Sequence, residues 1–379
     1  MAPLRVALVH NLRPGGALRT VREHHRFFIG ETREFCLQTA NPVTSSAHMV
    51  PFKPRADSLA PALRPLPRHL DLVALVLAWR ALAHAVNRAE CDVVLAHPCQ
   101  FLQAPLALRW VQIPTVYFCH EPRRVDYEPA AAERVNPRTR ALYGPLHRAE
   151  RTLDRAAVAS TDVLLTNSRF TAQGIRRAYG RASEPVPLGV PDRFRQPVPE
   201  IHRTHLLSVG ALLPAKGHDR AIEAAALTTR RWPLIVVAPR ADPVEAERLE
   251  GLASRHGVDL EIRIGVTDEQ LRDLYCSSVC TLYLAREEPF GLVSLEAQAC
   301  GSPVLVADEG GLPETMLESE TGWTVDRDDG NAAARAIDRL GDHDLQRRFS
   351  IQAREHGSAR SWEASTRHIE AVLKGAVSA

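Results

Sequence analysis

The 379-residue sequence lacks most of the features that mark specialised classes of protein. Its net charge is only +2, so no concentrated basic surface supports bulk binding of nucleic acid. The seven cysteines are scattered and odd in number, without paired metal-site spacing, which predicts buried reduced thiols and a cytoplasmic setting. Lysine is also rare, because Lys53, Lys216 and Lys374 are the whole set.

Long apolar runs are missing as well. The run at the start of the chain ends after Val9, so no secretory signal peptide is expected. The longest run, Leu72 to Trp79, is far shorter than the roughly 20 residues that a membrane span needs. Any membrane contact is therefore expected to be peripheral, at the inner face of the plasma membrane.

What the chain does have is a regular alternation of predicted strands and helices. This pattern is typical of parallel sheets covered by helices on both faces. Strands are predicted at 5–9, 92–95, 115–118, 162–166, 206–209, 234–237, 261–264, 280–284 and 304–306. The main predicted helices are 14–28, 70–86, 146–160 and 361–377. The proline-rich stretch 185–202 interrupts the pattern, and the chain is too long for one ordinary core. We expect an α/β protein of two Rossmann-like domains, with ligands in a cleft at the carboxyl ends of the strands.

The most informative segment is 287–301, which reads EEPFGLVSLEAQACG. It places Glu288 and Glu296 eight positions apart, around a Pro-Phe-Gly turn that opens a short predicted helix. A buried helical face is predicted from the spacing of Leu292, Leu295 and Ala299. The first turn of a helix offers unpaired backbone N–H groups and the positive end of the macrodipole. An anion held there, beside carboxylates that accept hydrogen bonds from hydroxyls, describes a site for a sugar phosphate or a nucleotide sugar.

Two glycine pairs follow predicted strands. Gly15-Gly16 lies between the first strand and the first helix, where glycine allows close approach of a bound group. An ordinary strand–helix turn explains that pair about equally well. Gly310-Gly311 is a similar turn after the strand 304–306.

His120 and Lys216 are single candidates for chemistry. His120 follows the strand 115–118 at the expected cleft edge, where a neutral imidazole can donate or accept a hydrogen bond. A structural role is the more common one for a lone histidine after a strand. Lys216 precedes Gly217 at a predicted helix start, which suits a phosphate ligand or a solvated loop lysine equally.

Basic residues also occur in the loops of the first half. They are Arg64, Arg68, Arg123, Arg124 and Arg169. The run Pro51 to Leu70 adds Phe52 and Leu63 among its prolines, and such a loop suits anionic lipid head groups or an anionic acceptor. A plain solvated loop is the stronger expectation.

Taken in order, these motifs resemble the retaining glycosyltransferases of family 4, which have the GT-B fold. The segment from Glu288 to Glu296 resembles their Glu-x7-Glu signature, Gly15-Gly16 their N-terminal glycine loop and His120 their acceptor-domain histidine. Further similar segments are 166–171, 179–180, 187–192, 216–219, 265–271 and 310–314. The resemblance implies an acceptor-binding domain at 1–190, a donor-binding domain at 200–357 and a final helix, 358–379, that packs back on the first domain.

The resemblance also implies a reaction and a set of roles. The reaction is transfer of a hexose-type sugar from a UDP- or GDP-sugar to an acceptor hydroxyl, with retained configuration and without a metal or other cofactor. The implied catalytic residues are His120, Glu288 and Lys216. The implied donor-binding residues are Gly15, Gly16, Gly210, Lys216, Glu288, Pro289, Phe290, Gly291, Leu292 and Glu296. Arg123, Arg124 and Arg169 are the implied acceptor-binding residues. The implied acceptor is a glycan, a lipid-linked compound or a small molecule, in polysaccharide, glycolipid or metabolite synthesis.

Two departures from the family pattern keep alternatives open. Ala211 stands where the family usually has a diphosphate-binding arginine, and Arg286 or Arg240 are possible substitutes. Arg240 itself follows the strand 234–237, where the family commonly has glycine. The alternatives are a non-catalytic subunit that binds nucleotide sugars and a nucleotide-sugar 2-epimerase of the same fold. A pyridoxal-dependent phosphorylase is disfavoured, because Lys53 and Lys374 are poorly placed to bind that cofactor.

Overall fold

The computed structural model describes residues 3–55, 65–127, 137–196 and 202–378. The chain divides into two compact units. The first domain comprises Met1–Pro187 and Glu363–Ala379, and the second domain comprises Leu188–Trp362. The sequence-based boundaries were 1–190 with 358–379, and 200–357.

The first domain is built on a seven-stranded parallel sheet with the strand order β3-β2-β1-β4-β5-β6-β7. Its strands are β1 (Arg5–Asn11), β2 (Glu31–Leu37), β3 (His48–Val50), β4 (Val93–Cys99), β5 (Thr115–Phe118), β6 (Val163–Thr166) and β7 (Glu184–Pro185). The central strands β4 and β5 are buried along their whole length, as expected for a sheet covered on both faces. The sequence did not predict β2, β3 or β7.

The helices of the first domain include the last helix of the chain. They are α1 (Gly16–Phe27), α2 (Pro65–Asn87), α3 (Arg124–Tyr127), α4 (Pro137–Ala159), α5 (Arg169–Tyr179) and α12 (Trp362–Ser378). Helix α12 is tied to the rest of the domain by His24 Nε2 with Ser365 Oγ at 3.0 Å, and by Ile29 N–H donating to Glu370 at 2.6 Å. The chain therefore returns to the first domain at its end.

The prediction of a basic loop at residues 51–70 is partly wrong. Helix α2 already begins at Pro65, because proline is well tolerated in the first turn of a helix, and Arg68 lies within this helix. Phe52 is buried in the core of the domain, so it is not a lipid-facing side chain. Arg64 and Leu63 lie outside the described residues.

One described helical segment, Leu70–Asn87 of α2, has the length and apolar composition to cross a membrane. About two fifths of that segment is buried inside the protein, 39% by residue. Its buried side chains include Leu75, Trp79 and Leu82, which belong to the core of the first domain. A core helix of a folded domain meets the same criteria of length and composition.

The second domain contains a six-stranded parallel sheet with the order β10-β9-β8-β11-β12-β13. Its strands are β8 (His205–Val209), β9 (Leu234–Ala238), β10 (Leu260–Ile264), β11 (Ser278–Tyr283), β12 (Val304–Ala307) and β13 (Gly322–Val325). Its helices are α6 (His218–Leu227), α7 (Pro243–His256), α8 (Asp268–Ser277), α9 (Leu292–Ala299), α10 (Gly330–Arg339) and α11 (His343–Ser358). The sequence predicted all of these strands except β13.

Both sheets confirm the expected α/β class of two Rossmann-like domains. The predicted state of the cysteines is also confirmed, because all seven are free thiols and all are buried.

Candidate active site

The loops that follow β8 and β11 are fixed to one another at the carboxyl edge of the second sheet. Gly217 has a φ of 73°, and a Cβ at this position would lie 2.0 Å from the Leu284 carbonyl oxygen. Glycine is therefore required for the close approach of the two loops. The Arg286 N–H donates to the Ala215 carbonyl at 2.8 Å, which joins the same loops again.

This approach brings Lys216 and Glu288 together, although they are 72 residues apart in sequence. Lys216 Nζ lies 2.7 Å from Glu288 Oε2, and the two side chains are 25% and 19% exposed. Lys216 Nζ also lies 3.4 Å from the Tyr283 hydroxyl. Burial, and then the nearby carboxylates of Glu288 and Glu296, raise the pKa of Tyr283 well above its usual value. The phenol therefore stays a neutral hydrogen-bonding group beside the ion pair.

The helix that carries Glu296 begins beside this ion pair. Helix α9 has Gly291 at its N-cap with a φ of 115°, and within the described structure no side chain caps it by a hydrogen bond. A Cβ on Gly291 would lie 2.6 Å from Leu312 Cδ2. Phe290 and Glu296 are buried. The uncapped start of α9 thus follows Glu288 by three residues in the chain.

The remaining predictions about the motif are borne out in part. Leu295 and Ala299 are buried, as expected for the core-facing side of the helix, whereas Leu292 is only half-buried at its first position. Gly301 follows the helix with a φ of 76°, the left-handed conformation of a helix-terminating glycine.

The second glycine pair, Gly310-Gly311, packs against the backbone of the Glu288 motif. The Gly311 N–H donates to the Glu288 carbonyl at 2.7 Å. A Cβ on Gly310 would lie 2.6 Å from the same carbonyl, and one on Gly311 would lie 2.4 Å from the Pro289 oxygen. These glycines therefore allow a backbone-to-backbone contact that holds Glu288 in place.

The loop around Ala211 is held by an uncharged histidine. His218 Nδ1 lies 2.8 Å from Ser208 Oγ and His218 Nε2 lies 3.2 Å from the Ala211 carbonyl, while burial lowers the pKa of this imidazole. Gly210 packs against the stem of Lys216, since its Cβ would lie 3.4 Å from Lys216 Cβ. No role was predicted for His218 from the sequence, and only its place two residues after Lys216 could have suggested one.

Three further arginines lie in this part of the second domain. Arg286 is half-buried in the loop joined to Ala215, whereas Arg240 is exposed after β9. Arg327, which the sequence reasoning missed, is buried with Nε 3.3 Å from the Leu284 carbonyl and 3.4 Å from Glu309 Oε1. Arg286 therefore has the better position of the two proposed substitutes for the arginine missing at 211.

In the first domain, His120 belongs to a cluster of buried aromatic rings. His97 Nδ1 lies 3.4 Å from His120 Nε2, and the rings of His97 and Phe118 stack with centroids 5.6 Å apart. His24 packs on the same phenyl ring at 5.7 Å. Burial lowers the pKa of His120 and of His24 to about 3, so both are neutral near pH 7. The neutral imidazole expected at position 120 is thus explained by desolvation.

The glycine loop at the start of α1 is open to solvent. An added Cβ on Gly16 would have nothing within 4 Å, and one on Gly15 would only reach the Arg13 carbonyl at 4.0 Å. Neither residue has the positive φ that favours glycine. The fold itself therefore does not require glycine at these two positions.

The three predicted acceptor arginines have different surroundings. Arg123 is 12% exposed and is bound to Glu150 and Asp126, which leaves it little freedom to meet a ligand. Arg124 lies 3.9 Å from Glu121, and it is half-buried. Arg169 is exposed at the first turn of α5.

Among the residues that the structure describes, no three His, Cys, Asp or Glu side chains are placed to hold a metal ion. The site at Glu288 is instead made of one ion pair, a phenol and a helix start.

Comparison with known proteins agrees with this geometry. The model of glycosyl transferases group 1 matches residues 192–356, and the model of Glycosyltransferase Family 4 matches residues 33–193. A D-inositol 3-phosphate glycosyltransferase of Acidothermus cellulolyticus is 28% identical over 380 residues, covering 90% of this chain and 81% of that protein.

Solved structures share the fold over almost the whole chain. Sucrose-phosphate synthase from Thermosynechococcus elongatus has a TM-score of 0.75 at 20% identity, covering 98% of both chains. Anabaena HepE in complex with UDP-glucose has a TM-score of 0.72 at 16% identity, covering 98% of this chain and 100% of its own. The likeness to these structures shows the GT-B fold, and the two matched models show the family. The chain belongs to glycosyltransferase family 4.

Proposed function

We propose that the protein is a retaining hexosyltransferase that uses a nucleotide-diphosphate sugar as its donor. The observation that carries the proposal is the 2.7 Å ion pair between Lys216 and Glu288 at the open start of α9. A cation, a carboxylate and uncapped helix N–H groups form a set that binds a diphosphate and a sugar hydroxyl together. The solved complex of HepE with UDP-glucose, which shares the fold, supports a UDP-sugar as the first donor to test.

Lys216 and the first turn of α9 are proposed to hold the diphosphate. Negative charge builds on the leaving group as the glycosidic bond breaks, so fixed positive charge there stabilises the transition state more than the ground state. When the diphosphate binds, Lys216 redirects its ammonium group from Glu288 towards the phosphate oxygens. Arg286 is the proposed second cation, in place of the arginine that is absent at position 211.

Glu288 and Glu296 are proposed to hold the sugar and the ribose. Glu288 is partly exposed at the helix start and can accept hydrogen bonds from sugar hydroxyls, whereas Glu296 is buried one turn further along the helix. The Tyr283 hydroxyl fixes the position of Lys216 at 3.4 Å. On this proposal the leaving phosphate accepts the proton of the acceptor hydroxyl on the same face, and configuration is retained.

His120 is proposed to meet the transferred sugar as a neutral group. An imidazole with a pKa of about 3 can donate or accept a hydrogen bond throughout the physiological pH range without adding positive charge. The inositol phosphate glycosyltransferase among the relatives makes a phosphorylated polyol the first acceptor to test. Arg169 and Arg124 are better placed than Arg123 to contact such an anion.

We further propose that the reaction needs no metal and takes place in the cytoplasm, with peripheral contact to the inner face of the membrane. A divalent cation is dispensable where Lys216, Arg286 and a helix start neutralise the diphosphate. Full transfer activity in excess chelator is the expected result, and activity restored only by added Mg²⁺ or Mn²⁺ would contradict it.

The main test combines nucleotide binding with transfer. UDP, GDP and ADP are screened by thermal unfolding, and the correct nucleotide at about 100 times its Kd should add about 3 kcal/mol of stability, or roughly 5–10 °C. The variants Glu288→Gln and Lys216→Ala are each expected to lower kcat/KM about 10²–10³-fold. The matched controls Glu250→Gln and Lys374→Ala, at exposed helical positions, should keep full activity.

Product analysis separates the proposal from its alternatives. Nuclear magnetic resonance should find the donor's anomeric configuration in the product, and an inverted product would refute the retaining mechanism. Nucleotide binding without transfer or donor hydrolysis would favour the non-catalytic subunit that Ala211 suggests. Release of a free 2-epimeric sugar without acceptor would identify an epimerase.

A further inference from the structure

A cavity in the second domain lies at the edge of the sheet opposite to the Lys216–Glu288 pair. It has a volume of about 530 Å³, which is within the range of small-molecule sites. Its lining includes Arg203 just before β8, Val279 near the start of β11 and Gly301 just before β12. Because all strands of this sheet are parallel, the cavity is at their amino ends, whereas the proposed donor site is at their carboxyl ends.

The lining of this cavity is strongly cationic. Four arginines from three segments contribute to it, and they are Arg203, Arg230, and Arg347 and Arg354 of α11. His202 and His343 also line it, and none of the described residues in the lining is Asp or Glu. Among the described residues, no ion pair is formed by any of the four arginines.

Two carboxylates lie beside this lining in sequence without belonging to it. Asp342 caps α11 by accepting from the N–H groups of Asp344 and Leu345. Asp338 accepts hydrogen bonds from Thr229 at 2.7 to 3.1 Å. In the part of the chain that the structure describes, neither acid forms an ion pair with an arginine of the cavity.

Arg203 is fixed in the wall of the cavity by two backbone carbonyls. Its guanidinium donates to the carbonyls of Ser278 and Gly301 at 2.5 and 2.6 Å, and burial lowers its pKa to about 10. Trp232 also lines the cavity, and its buried indole N–H has no hydrogen-bond partner among the described residues. Arg230 stacks on the same indole, with its Cζ 5.6 Å from the ring centre.

We propose that this cavity is an anion site for a small molecule that carries two or more phosphate groups. Planar guanidinium groups bind phosphate oxygens through paired hydrogen bonds, which a single lysine cannot do. A bound anion would relieve the repulsion among the four arginines, and it would stabilise the fold by its binding free energy. The volume exceeds that of a single phosphate, so the site fits a diphosphate or a bisphosphorylated compound.

The proposed ligand does not contact the donor residues. Its site adjoins Cys300 and Gly301 at the end of α9, while Gly291 and Glu288 lie at the beginning of the same helix. Binding at the cavity is therefore separable by mutation from binding at Lys216.

The test is calorimetric titration with inorganic pyrophosphate, without divalent metal, on the full-length protein. The double variant Arg347→Ala/Arg354→Ala is expected to weaken pyrophosphate binding at the cavity by at least about tenfold per arginine. The control Arg335→Ala/Arg348→Ala removes the same charge from exposed positions of the same domain outside the cavity, and it should bind normally. Lys216→Ala should retain the cavity's binding event, which separates it from the donor site.

Two results of the titration would overturn the proposal. One is unchanged pyrophosphate binding in Arg347→Ala/Arg354→Ala, and the other is loss of all binding in Lys216→Ala alone. The milder variant Arg347→Lys/Arg354→Lys keeps the charge and the fold, and an intermediate loss is expected from it because lysine cannot form the paired bonds. Vesicles of phosphatidylglycerol distinguish the source of the phosphate. Sedimentation with vesicles that requires Arg347 and Arg354, without any binding of free pyrophosphate, would assign the cavity to lipid head groups and refute the small-molecule site.

Discussion

The buried histidines of the first domain predict a loss of stability in mild acid. Folding places His24 in the core with a pKa of about 3, against 6.5 for an ordinary histidine, because burial and then the nearby His120 disfavour the charged form. A lowered histidine pKa means that the unfolded chain binds the proton more tightly than the folded one. The stability associated with His24 is therefore complete above about pH 6.5, and it is lost as the pH falls below that value.

The size of the effect follows from the interval of pH. Between pH 6.5 and 5.0 the histidine of the unfolded chain gains a proton while that of the folded chain does not. This difference lowers the free energy of unfolding by about 2 kcal/mol. For a domain of about 200 residues this corresponds to a fall of roughly 4–8 °C in Tm. His97 and His120 have lowered pKa values for the same first cause, burial, and add to the fall. Despite its burial, hydrogen bonds from His10 and two backbone N–H groups lower the pKa of Glu34 to about 2, and its contribution is lost only below about pH 4.5.

Differential scanning calorimetry from pH 5.0 to 7.0 on wild type and His24→Gln measures this effect. Glutamine cannot titrate, but it can keep the hydrogen bond to Ser365 Oγ that His24 makes at 3.0 Å. The variant should lose about 4–8 °C less than wild type on going from pH 6.5 to 5.0. His84→Gln controls for the loss of one histidine, because His84 is exposed on α2 and is not dehydrated on folding. Parallel Tm curves for wild type and His24→Gln would refute the assignment of acid sensitivity to this cluster.

Three more substitutions test glycine turns and a helix cap in the two domains. Gly217→Ala should destabilise the second domain by at least about 1–3 kcal/mol, because its φ is 73° and its Cβ would meet the Leu284 carbonyl at 2.0 Å; an unchanged Tm would contradict the loop contact. Gly16→Ala should leave Tm nearly unchanged, since nothing lies within 4 Å of its Cβ, and a raised KM for the donor would then report close approach of the ligand. Ser168→Ala should cost about 1 kcal/mol in chemical denaturation, because the Ser168 side chain accepts the Thr171 N–H at the start of α5; the exposed Ser160→Ala serves as the comparison.

The sequence predicted the central strands well because their apolar runs are long and uninterrupted. Strand β2 escaped prediction because it begins with polar residues and contains Glu34, a carboxylate that is buried only because His10 and the 43–44 backbone bond to it. Strand β13 begins with Gly322 and has Thr324 between its two apolar residues, so it lacks the run of three apolar residues found in the equally short β5, β6 and β12.

The site was predictable where its information is local and not where it depends on tertiary contacts. The helix start at Gly291 and the burial of Leu295 and Ala299 follow from one continuous segment. The contacts of Tyr283 and Arg327 depend on which strands are neighbours in the sheet. The spacing of residues within one segment does not predict which strands are neighbours. The family resemblance assigned Lys216 and Glu288 to one donor site, but it did not predict their ion pair, which the structure shows at 2.7 Å.

The return of the chain to the first domain has a practical consequence for dissecting the protein. The second domain is one uninterrupted insertion, and its two ends are bonded to each other, since the Val190 N–H donates to the Arg360 carbonyl at 2.8 Å. Gly189 allows this pairing, because a Cβ there would lie 2.2 Å from the Trp362 nitrogen. The segment 188–362 can therefore be expressed by itself with its ends already side by side. A chain cut at Pro187, by contrast, would lack α12 and leave His24 without Ser365, so the first domain has to be produced with its last helix rejoined through a short linker.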